Sequence, residues 1–203
     1  TYFLDRYSSL NQPMISSIHN QQGELIRTLK DNTTLKNTMK NYALTDAEFM
    51  RIPNREGVEL NAWLIKPGSF DTNKKYPVLM FQYSGPGSQE VMNRFAIRDY
   101  WWHQMLAQKG YIIVCVDGTG TGARGEEFKK KTYLNLGKYE SDDQIDAAKY
   151  LAKQSFVDPA RIGIWGWSYG GYMSSICLLK GAEVFKMAIA VAPVTNWRFY
   201  DNI

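Results

Sequence analysis

Apolar and polar residues alternate with a period of two along the first 32 positions. "YFLDRYSS", "MISSIHN" and "GELIRTL" are short runs broken by Asn11-Gln12-Pro13 and Asn20-Gln21-Gln22-Gly23. That is the pattern of half-exposed strands separated by turns. From Lys30 to Asn41 the chain is polar, which predicts a linker or a short surface helix. From Ala47 a second alternating region begins. "EFMRIPN" and "VELNAWLI" flank Arg55-Glu56-Gly57, a hairpin turn, and Val58, Leu60, Ala62 and Leu64 fall on one face.

The period then changes. "PVLMFQY", "YIIVCVD", "RIGIW" and "KMAIAVAP" are dense apolar runs, as expected of strands buried on both faces. Helical patterns separate them. Trp102, Met105 and Leu106 share one face, with Asp99 as candidate N-cap and Gly110 as the stop. Ser141-Asp142-Asp143-Gln144 reads as a capping box ahead of Ile145, Ala148 and Ala152. Met173, Ile176 and Cys177 repeat the spacing up to Lys180-Gly181. Strands alternating with helices predict an α/β fold built on a mostly parallel sheet with flanking helices.

Composition narrows the function classes. An apolar fraction of 44% over 203 residues supports a sizeable core. No apolar run approaches the roughly 20 residues of a membrane span. A net charge of +4 is too mild to argue for nucleic acid, and Lys129-Lys130-Lys131 reads as a solvated face. Cys115 and Cys177 both sit in apolar patterns and read as buried small hydrophobes. The chain opens inside a strand-like run, has no initiator Met, and ends in "WRFYDNI" without a helix stop. It is expected to be a piece of a longer protein.

The candidate chemistry centres on Gly166-Trp167-Ser168-Tyr169-Gly170, a G-x-S-x-G match between an apolar strand and an amphipathic helix. In that setting the chain must turn sharply and hold the serine at the tip, so bulk two places either side would meet neighbouring backbone. Gly171 would let the helix pack close to the sheet. The helix N-terminus offers free N–H groups to a developing oxyanion, that of Tyr169 first.

A nucleophilic serine needs a base. On an α/β-hydrolase fold the order is Ser, then acid, then His. Beyond Ser168 the acids are Glu183 and Asp201, and no histidine follows. His19 and His103 are read as surface or packing residues in preference to the base. The simplest account places the acid and the base outside these 203 residues.

Two further features bear on the site. Gly120-Thr121-Gly122-Ala123-Arg124-Gly125 fits the dinucleotide fingerprint, but the polar "EEFKKKTYLNLGKYE" after it lacks the required helix pattern. A surface loop is the better reading. Tyr83 precedes the loop Gly85-Pro86-Gly87 at the end of a buried strand, where α/β sites form; it is either an oxyanion donor or a core residue. Val194, Trp197 and Tyr200 lie just past another strand and either line an apolar pocket or cap the core.

Together "GWSYGGYM", "QYSGPGSQ", "VDGTGTGARGEEF", "SDDQIDAAKYL", "FVDPARIGIWGWS" and "AVAPVTNWRFYD" resemble the dipeptidyl peptidase IV group of prolyl oligopeptidase-like serine peptidases, and most resemble its bacterial members. The resemblance covers most of residues 1–203. It implies that residues 1–32 are the last strands of an N-terminal β-propeller. Residues 33–203 would then be the linker and the N-terminal part of an α/β-hydrolase domain.

It also implies roles. Ser168 is the nucleophile, and the Tyr83 hydroxyl and Tyr169 N–H form the oxyanion hole. Tyr169, Val194, Trp197 and Tyr200 line a pocket for a proline ring. The implied activity is release of N-terminal dipeptides with penultimate proline or alanine. No cofactor or metal is implied, the partners are peptide substrates, and the full-length protein is expected to be a homodimer. Only the resemblance bears on compartment, favouring periplasm or cell envelope. The group's pair of propeller glutamates, its triad Asp and His, and the last pocket tyrosine match nothing here. Tripeptide release, an esterase on the same fold, and a non-enzymatic relative are the alternatives; the presence of Ser168 counts against the last.

Overall fold

A computed structural model of the chain describes residues 1–200. Three strands open it, β1 (Tyr2–Ser9), β2 (Gln12–Asn20) and β3 (Leu25–Lys30), paired antiparallel in that order as a small separate sheet. The polar stretch after them forms α1 (Thr33–Met39), which buries no residue.

A six-stranded mixed sheet follows, with strand order β4-β5-β7-β6-β8-β9. The hairpin of β4 (Ala47–Pro53) and β5 (Glu59–Ile65) is antiparallel, and β5 pairs antiparallel with β7. β6 (Tyr76–Phe81), β7 (Ile112–Asp117), β8 (Val157–Trp167) and β9 (Met187–Val191) run parallel. Between them lie α2 (Tyr100–Gln108), α3 (Glu126–Lys130), α4 (Tyr139–Ala152) and α5 (Tyr169–Lys180), and α6 (Trp197–Tyr200) comes last.

Period-two alternation in buried strands produces two cores, one on each face of this sheet. Val78, Met80, Val114, Ile162 and Ile164 point to the side of α4 and α5, where they meet Ile145, Leu151, Met173 and Cys177. Leu79, Phe81, Ile113, Cys115 and Trp165 point to the side of α2. Val58, Leu60, Ala62 and Leu64 do share a face, on the α4–α5 side. The β1–β2 turn docks on the large sheet: Leu10 is buried in the α2-side core, and Asn11 exchanges side-chain bonds with the Ala47 backbone at 2.9 and 3.0 Å.

Several expectations change. α2 is rotated about its axis: Tyr100, His103, Gln104 and Ala107 are its buried stripe, Trp102 and Leu106 pack half-buried against the α2-side core as expected, and Met105 is exposed. The aromatic wall of Trp63, Phe81 and Trp165 accepts the flat His103 ring between them, which sets the rotation. Asp99 stands at the N-cap in a left-handed conformation (φ 57°) and its side chain makes no cap bond. α4 begins before the expected capping box, so Ser141 lies inside the helix and bonds back to the Gly137 and Lys138 carbonyls. Gln144 turns inward and donates to the Val116 carbonyl at 2.9 Å. Among the described residues β9 is an edge strand, with Met187 and Ile189 exposed rather than buried on both faces. The glycine-rich segment after β7 is followed by the five-residue α3, and Thr119 and Thr121 before it are buried, so its first half is packed rather than a surface loop.

Candidate active site

β8 ends at Trp167 and α5 starts at Tyr169, leaving one residue, Ser168, to make the turn. Its backbone sits at φ 58°, ψ −115°, outside the regions that suit a residue with a side chain. Such strain persists only where the surroundings over-determine it. Here the Ser168 N–H is held by the Val191 carbonyl at 2.9 Å, and the Ser168 carbonyl accepts from Tyr172 N–H at 3.0 Å.

The flanking glycines are there because backbone occupies the space. A Cβ on Gly166 would run into the Gln82 carbonyl oxygen, and one on Gly170 would lie 2.5 Å from the same atom. A Cβ on Gly171 would lie 2.8 Å from the Val191 carbonyl oxygen. β6 is thus pressed against the turn. The Gln82 side-chain amide adds a latch, donating to the Gly170 carbonyl at 2.7 Å and to Ser174 Oγ at 3.0 Å.

Half-buried Ser168 lines an open cleft of about 440 Å³ with Tyr83, Arg98, Asp99 and Trp167. Tyr83 follows β6 and carries the Arg98 guanidinium over its ring at 5.3 Å. Arg98 in turn lies 3.5 Å from Glu90. The loop holding both is tied down by Asp117 at the end of β7, which accepts from the backbone N–H groups of Glu90 and Val91 at 2.8–3.1 Å. Burial pushes the Asp117 carboxyl up to about 6, against those two bonds.

Next to Ser168, and sharing Tyr83 with this cleft, the rings form one cluster. Tyr169 lies 6.1 Å from Tyr83, 5.5 Å from Tyr172 and 5.5 Å from Trp197 between centroids, and Tyr200 lies 5.3 Å from Trp197. The Tyr169 hydroxyl donates to Glu140 at 2.6 Å. Burial first, and this bond second, raise its pKa well above the ordinary phenol value.

The structure therefore brings Ser168, Tyr83, Tyr169, Trp197 and Tyr200 into one region. Val194 is half-buried in the loop between β9 and Trp197. Asp201 lies outside the described residues. Two members of the cluster, Tyr172 and Glu140, do not stand out in the sequence pattern. Tyr172 leaves a signal there, since it stands three residues after Tyr169 on the same helix face. Glu140 leaves none once the helix is taken to start at Ser141.

Neither histidine reaches the serine's cleft. His19 stacks on Phe3 at 5.5 Å in the small sheet and contacts Ser17 and the Gly23 carbonyl. His103 is fully buried among Trp63, Phe81, Trp102 and Trp165, and neither ring nitrogen has a partner among the described residues. Burial drives its pKa down to about 3, so the ring is neutral and inert as a base.

The chain is similar to known proteins. Residues 97–203 match the prolyl oligopeptidase family. The crystal structure of Porphyromonas gingivalis dipeptidyl peptidase 4 superposes with a TM-score of 0.92 at 50% identity, over 98% of this chain and 28% of that one. A human "Prolyl endopeptidase FAP" is 40% identical over 192 residues, 93% of this chain and 25% of its own. A "Probable dipeptidyl-aminopeptidase B" of Arthroderma benhamiae is 44% identical over 193 residues, 95% of this chain and 21% of its own. The chain thus spans about a quarter of the length of the curated relatives it matches. No helix among the described residues is long and apolar enough to cross a membrane. The chain belongs to the prolyl oligopeptidase family, in its dipeptidyl peptidase IV-like branch.

Proposed function

We propose that the chain carries the nucleophile of a serine exopeptidase that releases N-terminal dipeptides with penultimate proline or alanine. The observation that carries this is Ser168, held in a strained positive-φ conformation at a strand–helix turn and sharing one cleft with Tyr83. Ser168 Oγ attacks the carbonyl carbon of the penultimate residue and gives its proton to a histidine outside this chain. The carbonyl oxygen takes the negative charge, and the Tyr169 N–H and the Tyr83 hydroxyl donate to it. Collapse expels the amine of the shortened peptide, which takes the proton from the histidine, and leaves the dipeptide as an ester on Ser168. Water then hydrolyses that ester.

Tyr169, Val194, Trp197 and Tyr200 surround the penultimate side chain. Proline is compact and apolar, and flat rings bury it with little loss of their own freedom. In this reading residues 1–32 are the end of a β-propeller, and residues 33–203 are the linker and first part of the hydrolase domain.

In the full-length protein, Gly-Pro and Ala-Pro anilides should be hydrolysed, and Ser168→Ala should abolish turnover. Unchanged turnover in that variant defeats the assignment. The 203 residues alone should be nearly inactive, because loss of the base costs orders of magnitude in rate. Release of tripeptides is the second reading, because this chain has no match for the group that anchors the substrate amine. Mass analysis of the product from a Gly-Pro-capped and an Ala-Ala-Pro-capped peptide separates the two.

A further inference from the structure

The proposed chemistry leaves one fully buried carboxylate unused. Glu140 stands in the first turn of α4 with no exposed surface. Both of its oxygens are engaged: one accepts from the Tyr169 hydroxyl at 2.6 Å and the other from the Gly137 N–H at 3.0 Å. Gly137 itself is seated firmly. Its backbone has φ 85°, and a Cβ there would lie 2.5 Å from the Tyr172 hydroxyl. Its carbonyl accepts from Ser141 Oγ at 2.6 Å and from Lys180 Nζ at 3.3 Å. The carboxylate is therefore bolted to a loop pinned between α4 and α5.

Burying a carboxylate is costly unless its bonds return the desolvation energy. A water or an amide would satisfy one phenol hydroxyl. A carboxylate gives it a shorter and stronger bond with a defined direction. Tyr169 is the ring at the centre of the aromatic cluster, touching Tyr83, Tyr172 and Trp197. Held at the α5 backbone and again at its hydroxyl, it cannot swing away from Trp197.

We propose that Glu140 is a positioning residue: by gripping the Tyr169 hydroxyl it fixes the rear wall of the substrate pocket and sets the preference for proline over alanine. This rests on the exopeptidase reading above. The physical basis is a difference in how far each side chain reaches. The proline ring needs the wall at its full reach, whereas an alanine methyl does not, so a loose wall costs the proline substrate more.

The test measures kcat/KM of the full-length protein on Gly-Pro and Gly-Ala anilides, with active sites counted by fluorophosphonate labelling. Glu140→Leu should lower the proline-to-alanine ratio about tenfold, the scale on which an apolar pocket senses a missing methylene. A role in folding alone would remove active sites and leave the ratio unchanged. Tyr169→Phe, which deletes only the hydroxyl, should shift the ratio equally and carries the test if Glu140→Leu does not fold. The double variant should shift it no further than either single one, because both break the same bond. A ratio within about twofold of wild type in Tyr169→Phe, or additive shifts in the double variant, overturns the proposal. Wild-type protein that turns over neither anilide overturns the exopeptidase reading and this assignment with it. Active wild type with an unchanged ratio in the variants overturns the role of Glu140 alone.

Discussion

A methyl group at Gly170 would lie 2.5 Å from the Gln82 carbonyl oxygen and 3.2 Å from the Tyr83 Cα. Both atoms belong to backbone, so neither can rotate aside. Gly170→Ala should therefore cost about 1–3 kcal/mol, the range for overpacking, seen as a lower urea midpoint. It should also slow fluorophosphonate labelling of the protein that remains folded, because the strain falls between Ser168 and Tyr83. Wild-type labelling would refute it. This steric demand is legible in the spacing of the glycines around the serine; which atoms impose it is not. His103 shows the opposite case. Its folded pKa of about 3 lies below the ordinary value of 6.5, so the folded state resists a proton that the unfolded chain accepts. Its contribution is present in full above about pH 6.5 and is lost as pH falls toward 3. His103→Phe should flatten the pH dependence of stability between about pH 4 and 6 by about 1.4 kcal/mol per unit. Asp117 acts with the opposite sign across part of the same window, since its pKa is raised from 3.8 to about 6. The comparison with wild type isolates the histidine, and identical slopes would refute the assignment.

Buried polar contacts and exposed ion pairs both join elements, but they differ in weight. Asp143 on α4 accepts from Asn54 Nδ2 at 2.7 Å and from Thr119 N–H at 2.6 Å, tying the β4–β5 hairpin to the loop after β7. Burial raises its pKa against those bonds. One turn along, Arg55 pairs with Asp146 at 2.8 Å, but half of the Arg55 side chain is exposed. Asp143→Ala should cost about 2–3 kcal/mol, because two buried donors lose their acceptor. Arg55→Ala should cost less than about 1 kcal/mol, because solvent screens the pair. Urea unfolding of both variants checks the order, and a reversed order would refute it. The existence of α4 is legible from Ile145 and Ala148; its start is not. Ser141 and Gln144 have the right residue types and spacing for a cap, but the packed Gly137 loop starts the helix earlier and turns both side chains inward.

Across the described residues, β9 leaves one row of backbone groups unpaired and exposes Met187 at 43% and Ile189 at 38%. An apolar edge of this kind pairs with other chains. The 203-residue chain alone should self-associate at about 50 μM, a concentration at which exposed edges aggregate. Ile189→Lys should reduce this in sedimentation experiments; a monomeric parent chain would refute it. The same strand marks the limit of pattern reading, since "KMAIAVAP" looks as buried as "YIIVCVD" and differs only in having a neighbour on one side. Local periodicity and steric room were enough to set the alternation of strands and helices, the turn at Ser168 and the glycines around it. Packing in three dimensions settled which way α2 faces, that His103 is walled in by aromatic rings, and that Glu140 reaches Tyr169 across 29 positions. Those depend on which surfaces meet when distant segments pack. The spacing of glycines that the turn at Ser168 requires is local, but β6 and β9 must be in place to hold that turn, and the ring cluster around it needs β6, β8, α4, α5 and α6 as well.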